Sequence, residues 1–202
     1  MQLPLNGLKL RSGLFWITAY VLYIRQSYRE NCANVGWDLI YGGLYPPAAA
    51  EYVAFLPVFL IDLGLVYTTV KFGPARWSYT LLVQQNLPSL LLFGCVTITL
   101  SQWPFLSLLL PDIHQASFWS GFFLQNIVSW AANVQLLARG HTKGHSLTIW
   151  FMYFVGTLCA IAVVYWRAYF YPDYWGYVYT PAATFLFAAA ELGELLYPFI
   201  YL

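Results

Sequence analysis

The sequence predicts an all-α integral membrane protein, built as a single domain of seven transmembrane helices in the lipid bilayer. Of its 202 residues, 60% are hydrophobic and 8% are charged, whereas a soluble domain carries about 25% charged residues. Nine basic and eight acidic side chains give a net charge of +1, which leaves no basic surface for nucleic acid. Aromatic residues make up 20% of the chain, and this content excludes intrinsic disorder.

Seven apolar stretches approach the length of about 17–25 residues that a transmembrane helix needs. They cover residues 12–28, 33–46, 51–71, 79–100, 115–138, 147–167 and 180–202. The first has the length of a signal-peptide core, but Tyr23, Ile24 and Arg25 are too bulky for a cleavage site, so we expect a retained span. The second is short and is stopped by Pro46-Pro47.

The remaining five stretches are bounded by residues that favour turns. We expect the connections at Gly73-Pro74, Pro104, Pro111-Asp112, Arg139-Gly140, Gly144 and Pro172-Asp173. Three further prolines, Pro57, Pro88 and Pro198, fall inside the stretches, where membrane helices tolerate them.

Basic residues alternate between the two sides of the predicted bundle. The connections after the first, third and fifth stretches hold six of them: Arg25, Arg29, Lys71, Arg76, Arg139 and Lys143. The connections after the second and fourth hold none, while Lys9, Arg11 and Arg167 lie on the opposite side. The positive-inside rule therefore predicts a lumenal or external N-terminus and a cytoplasmic C-terminus.

Four acids, Asp38, Asp62, Glu191 and Glu194, lie inside the predicted spans, and none has a basic residue at helical spacing in its own stretch. An ionised side chain at mid-membrane costs at least about 2.5 kcal/mol, so we expect these acids to face the bundle interior. From the helical rise, Asp38 lies about 8 Å and Glu194 about 12 Å from the cytoplasmic helix ends, with Asp62 at a similar depth. The three are therefore expected to meet in one layer.

Polar and aromatic residues recur at helical spacing beside these acids. On the stretch 115–138, Gln125, Ser129 and Asn133 follow at steps of four. Such residues either line a substrate cavity or hydrogen-bond neighbouring helices to one another. The candidate lining residues are Asn34, Trp37, Tyr41, Asp62, Gln125, Trp130, Glu191 and Tyr197.

Sequence motifs of other chemistries are absent. His141 and His145 are four residues apart, but glycines precede each of them, so we expect this segment, and His114, to lie in loops rather than to bind metal. The sequence has no P-loop, no GxGxxG, no GxSxG nucleophile and no aspartate-rich run for a magnesium diphosphate. No metal and no cofactor are expected, which leaves acid chemistry on an apolar substrate as the strongest enzymatic interpretation.

Four segments form a pattern over nearly the whole chain: WITAYVLYIRQSYRE (16–30), NCANVGWDLIYGGLYPP (31–47), RGHTKGHSLTIW (139–150) and ELGELLYPFIYL (191–202). The pattern resembles the small integral-membrane terpene cyclases of fungal meroterpenoid and indole-diterpene biosynthesis. Two departures are Asp38, where that family usually has Glu, and a shorter connection between Tyr28 and Asn31.

The resemblance implies a seven-helix, class II-type, metal-independent cyclase of secondary metabolism in the endoplasmic reticulum membrane. Such an enzyme protonates the terminal epoxide, or sometimes the alkene, of a prenyl chain on an aromatic, pyrone or indole unit. Asp38 and Glu194 match the two catalytic acids. A pathway epoxidase and a prenyltransferase are the implied functional neighbours.

Two alternatives remain open from the residues alone. Paired intramembrane acids also suit a proton-coupled transporter, although no inverted repeat is visible in the sequence. A non-catalytic scaffold derived from the cyclase family is the other alternative. Our hypothesis makes Asp38 the proton donor and Glu194 its partner, with the reverse assignment open. The head group, prenyl length, product rings and oligomeric state are open as well.

Overall fold

The computed structural model describes residues 2–26, 38–44, 49–75, 77, 80–109, 112–142 and 145–202. Every regular element within these ranges is helical, which confirms the predicted all-α class. The long helices are α1 (Gln2–Gln26), α2 (Ala49–Phe72), α3 (Leu81–Leu109), α4 (Ile113–Arg139), α5 (Leu147–Phe170) and α6 (Pro181–Tyr201). A seven-residue π-helix, Asp38–Leu44, precedes α2, and the short turns Pro172–Trp175 and Gly176–Tyr179 join α5 to α6.

The length and composition of the helices identify an integral membrane protein. Four helical segments in the described part of the chain are long and apolar enough to cross a bilayer: Phe55–Phe72, Leu81–Leu108, Leu147–Phe170 and Pro181–Tyr201. They correspond to four of the seven predicted spans. The count of seven stays a prediction.

Two residues expected in connections lie in helices instead. Pro104 is inside α3, which continues to Leu109, because one proline removes one backbone hydrogen bond while the apolar sequence runs on. His114 is in the first turn of α4. Asp112 caps this helix, since its Oδ1 accepts hydrogen bonds from the backbone N–H groups of His114 at 3.0 Å and Gln115 at 3.2 Å.

The contacts divide the chain into two compact units, one of residues 20–120 and one of residues 1–19 with 121–202. We call them the first unit and the second unit. That the chain forms a single domain stays a prediction.

In the first unit, the π-helix packs against α2. Its buried residues Ile40 and Tyr41 form a cluster with Ala116, and Leu106 and Ile113 pack against this cluster. The π-helix is thereby fixed between the end of α3 and the start of α4, which places its first residue, Asp38, in the interior.

In the second unit, α1 crosses α5 at a glycine. The hydroxyl of Ser12 donates a hydrogen bond to the carbonyl of Gly156 at 2.9 Å. The indole ring of Trp16 occupies the space that a Cβ atom on Gly156 would need. The absence of a side chain at position 156 therefore sets the distance between these two helices.

Candidate functional site

The buried acids of the first unit form a pair. Asp38, the first residue of the π-helix, is 3% exposed, and Asp62, in the middle of α2, is fully buried. The two carboxyl groups are close enough that the charge of one acts on the other. Within the described part of the chain, Oδ2 of Asp38 and both carboxyl oxygens of Asp62 have no hydrogen-bond partner outside this pair. Asp38 and Asp62 are two of the three acids that the sequence predicts to meet in one layer.

Tyr41 follows Asp38 on the π-helix and is fully buried. Its hydroxyl lies beside that of Ser120, which in turn donates a hydrogen bond to the Ala116 carbonyl at 2.8 Å. The predicted lining residues Asn34 and Trp37 lie outside the described residues.

Glu194, the second predicted acid, lies on α6 in the second unit and is 4% exposed. The hydroxyl of Ser129, on α4, donates a hydrogen bond of 2.7 Å to its Oε1. The indole N–H of Trp150, on α5, donates to the Glu194 backbone carbonyl at 2.8 Å. Glu194 is thus held by donors from both neighbouring helices.

Behind Ser129, a chain of hydrogen bonds crosses from α4 to α5. The amide nitrogen of Gln125 donates to Ser129 Oγ at 3.4 Å and to Thr157 Oγ1 at 3.2 Å. Its amide oxygen accepts a hydrogen bond of 2.9 Å from the Tyr153 hydroxyl. The predicted lining residue Gln125 therefore has both ends of its amide engaged by other side chains.

Three side chains of α4 join it to α6 by donating to backbone carbonyls. Asn126 donates to Leu186 at 3.0 Å, Trp130 to Ala189 at 3.1 Å and Asn133 to Gly193 at 2.7 Å. For Asn133 the structure shows the helix-linking role that the sequence left as one of two alternatives. Trp130, a predicted lining residue, is also 38% exposed.

One contact was missed by the sequence analysis. His145 lies outside the helices, as predicted, but it is buried, and its Nδ1 lies 3.0 Å from the hydroxyl of Tyr197. The Tyr197 ring stacks on Trp150 with the two planes 9° apart. A signal was available, since His145 and Trp150 share the segment RGHTKGHSLTIW and Tyr197 follows Glu194 by three residues.

Glu191 lies on α6, one turn before Glu194, and is partly buried. Its Oε1 has no hydrogen-bond partner among the described residues. Within the same residues, no group of three His, Cys, Asp or Glu side chains could hold a metal ion.

The predicted site residues therefore fall into two groups. Asp38, Tyr41 and Asp62 belong to the first unit, and the rest of those described to the second: Gln125, Trp130, Glu191, Glu194 and Tyr197. That Glu194 joins the aspartate pair in one layer stays a prediction.

Comparison with known proteins identifies the chain. The sequence profile of the Pyr4-like transmembrane terpene cyclases matches residues 1–202. The Pyr4-family terpene cyclase mfmH of Annulohypoxylon moriforme is 40% identical, over 97% of this chain and 84% of that protein.

Two further relatives are the terpene cyclase macJ of Penicillium terrestre and the terpene cyclase cle7 of Aspergillus versicolor. The first is 28% identical over 97% of this chain and 80% of its own length. The second is 33% identical over 82% of this chain and 73% of its own length. No solved structure gives a significant match. The buried acids thus lie in a membrane protein that belongs to the Pyr4-like transmembrane terpene cyclase family.

Proposed function

We propose that this terpene cyclase acts by protonating the terminal epoxide, or a terminal alkene, of a prenyl chain attached to an aromatic, pyrone or indole unit. The observation that carries the proposal is the burial of Asp38, Asp62 and Glu194 in a helical, apolar chain of the terpene cyclase family. A buried carboxylic acid is a general acid shielded from water, which is what an apolar substrate requires.

The proposed reaction is an isomerisation. A carboxyl group transfers its proton to the epoxide oxygen while the bond from that oxygen to the more substituted carbon breaks. This leaves a hydroxyl group and a carbocation. The π electrons of the neighbouring alkenes then form carbon–carbon bonds in sequence and move the positive charge along the chain. A base finally removes a proton from the last cation, and no atom is gained or lost overall.

In this mechanism Asp38 is the proton donor and Asp62 supports it. Two adjacent buried carboxyl groups resist the loss of both protons, because two like charges at short range repel strongly. The pair therefore favours a state that retains a proton to donate. Burial of Asp62 against Asp38, with no hydrogen-bond partner outside the pair among the described residues, supports this assignment.

Glu194 takes the complementary role. Its Oε1 accepts a hydrogen bond of 2.7 Å from Ser129, which fixes the orientation of the carboxyl group. We assign it to polarise the opening epoxide or to take up the final proton. Aromatic faces stabilise a nearby cation by about 0.5–2 kcal/mol each, and this is the role we assign to Trp37, Tyr41, Trp130 and Tyr197. Asn34 and Glu191 complete the proposed lining.

The proposed setting is the endoplasmic reticulum membrane, crossed seven times, with the N-terminus in the lumen and the C-terminus in the cytoplasm. The alternation of basic residues between the connections supports this orientation. The substrate requires prior prenyl transfer and prior epoxidation, so a prenyltransferase and an epoxidase are the proposed functional neighbours.

The test uses microsomes that contain the full chain and a panel of epoxy-prenylated aromatic, pyrone and indole substrates. We expect a cyclised product of unchanged mass, and a loss of turnover of about 10²- to 10⁴-fold in Asp38→Asn and in Glu194→Gln. Asp173→Asn is the matched control, because Asp173 is an exposed acid in the turn after α5, and it should retain full turnover.

Conversion that survives both acid variants would overturn the assigned roles. If no member of the panel is converted and the protein instead carries protons across liposome membranes, the proton-coupled transporter would replace the cyclase proposal. Equal amounts of folded variant and parent protein, measured by size-exclusion chromatography in detergent, ensure that a loss of turnover reports chemistry.

A further inference from the structure

From the hydrogen bonds of the second unit we infer that Ser129 is a positioning residue for Glu194, and that Gln125 and Thr157 set the direction in which Ser129 donates. The inference rests on the proposed role of Glu194. In this inference Gln125 orients Ser129, which contacts Glu194, and does not itself contact the substrate.

The donor-to-acceptor direction of this series of hydrogen bonds is fixed at Thr157, the end farthest from Glu194. The Thr157 hydroxyl donates its single proton to the Tyr153 carbonyl at 3.2 Å. Towards Gln125, at 3.2 Å, Thr157 Oγ1 can therefore act only as an acceptor. The group of Gln125 that faces it must be the amide nitrogen, and the amide oxygen then faces the hydroxyl of Tyr153, which donates to it at 2.9 Å.

The orientation of the Gln125 amide determines that of Ser129. Because the amide nitrogen donates to Ser129 Oγ at 3.4 Å, the serine oxygen acts as an acceptor on that side. Its own proton is directed to Oε1 of Glu194, at 2.7 Å. Oε1 is thus fixed as an acceptor, and any proton that Glu194 takes up enters on its other oxygen.

The network is well placed to hold this arrangement. Gln125 and Ser129 are one turn apart on α4, and Tyr153 and Thr157 are one turn apart on α5, so each pair shares a helix face. Ser129, Tyr153 and Thr157 are each at most 2% exposed. Little water reaches the bond from Ser129 to Glu194, which strengthens it relative to exposed ones, while Gln125 is only partly buried.

The experiment measures kcat and KM of the full chain in microsomes for Ser129→Ala, Ser129→Cys and Thr157→Val. Ser129→Ala should lower kcat by about 10- to 100-fold, the range expected for loss of a hydrogen bond to a charged group, with little change in KM. Ser129→Cys retains a weaker donor and should recover part of the loss. Thr157→Val keeps the shape of the side chain and should lower kcat by a smaller factor.

Ser117→Ala is the matched control on the same helix. Its hydroxyl donates to the carbonyl of His114 within α4, at 3.0 Å, so this variant should retain the parent kcat. Infrared difference spectra supply a readout that a packing role would leave unchanged. The carboxyl band that disappears in Glu194→Gln should shift in Ser129→Ala and stay in place in Ser117→Ala.

The outcomes separate the inference from the function on which it rests. If Glu194→Gln is inactive while Ser129→Ala matches Ser117→Ala in kcat and in the carboxyl band, the positioning role is overturned and the proposed function stands. Equal loss in Ser129→Ala and Ser129→Cys would also overturn it, since the hydroxyl donor would then be irrelevant. An active Glu194→Gln variant would overturn the role of the acid itself.

Discussion

The close approach of α4 and α6 at Gly193 leads to a quantitative prediction for Gly193→Ala. A Cβ atom at this position would lie 3.0 Å from Ser129 Cβ and 3.3 Å from the Ser129 carbonyl carbon, where ordinary contacts begin at 3.4 Å. The two helices must therefore separate by about 0.4 Å, the difference between 3.4 and 3.0 Å. This displacement acts on the residue that donates to Glu194 and on the bond from Asn133 to the Gly193 carbonyl.

The expected loss in the free energy of unfolding follows from the balance of two effects. Overpacking of this kind costs about 1–3 kcal/mol, while replacing glycine by alanine in a helix returns up to about 1 kcal/mol. Gly94→Ala is the matched control, because Gly94 lies within α3 and nothing is within 4 Å of an added Cβ atom there. The control should be neutral or slightly stabilised, so the two variants should differ by about 1–3 kcal/mol.

The assay is thermal unfolding of the purified chain in detergent, followed by intrinsic tryptophan fluorescence, together with turnover in microsomes. At about 2–4 °C per kcal/mol for a chain of this size, Gly193→Ala should melt several degrees below Gly94→Ala. It should also turn over more slowly, because Ser129 is displaced from Glu194. Identical melting temperatures and identical turnover for the two variants would refute the argument that this glycine sets the geometry of the acid.

Three further predictions concern other contacts. Gly156→Ala should lower the melting temperature because its Cβ atom would occupy the space of the Trp16 indole, and Trp16→Ala in the same chain should restore part of the loss. An unchanged melting temperature in the single variant would contradict this packing. Tyr197→Phe should cost about 0.5–1.5 kcal/mol in the same assay, since it removes the hydroxyl 3.0 Å from His145. A double-mutant cycle of Tyr197→Phe with His145→Gln should show stability losses that are not additive. Additive losses would exclude a direct interaction between the two side chains. Asp38→Glu should stay within about tenfold of the parent turnover, whereas Asp38→Asn should lose about 10²- to 10⁴-fold. Equal activity of these two variants would contradict an acid role.

The burial of the acids could be predicted because it follows from energy alone. A carboxyl group in an apolar stretch without a basic neighbour should face the protein interior. Asp38, Asp62 and Glu194 are buried as this rule requires, whereas Glu191 is only partly buried. The helical class follows in the same way, since backbone groups in lipid must be satisfied within the chain. Both inferences depend on composition and spacing, which the sequence supplies directly.

The partners of the acids could not be predicted on the same basis. Spacing shows that Gln125 and Ser129 share a helix face, but not which helix packs against it. The hydrogen bond from Ser129 to Glu194 joins residues 65 positions apart. The direction in which this series of hydrogen bonds runs depends on Thr157, in a third helix. The contact of His145 with Tyr197 likewise depends on the path of the connection between α4 and α5, which residue spacing does not determine. The continuation of α3 through Pro104 shows that a single proline does not end an apolar helix.

The two groups of acids differ in the side chains that surround them. Asp38 and Asp62 lie together in the interior, and two like charges at this range repel, so the pair is stabilised by keeping a proton. Glu194 instead accepts a hydrogen bond from the hydroxyl of Ser129, whose orientation is set by two further side chains. Titratable groups in different environments suit different steps of one proton cycle. A cyclisation begins by giving a proton and ends by taking one, and we propose the first step for Asp38 and, for Glu194, either the last step or polarisation of the opening epoxide.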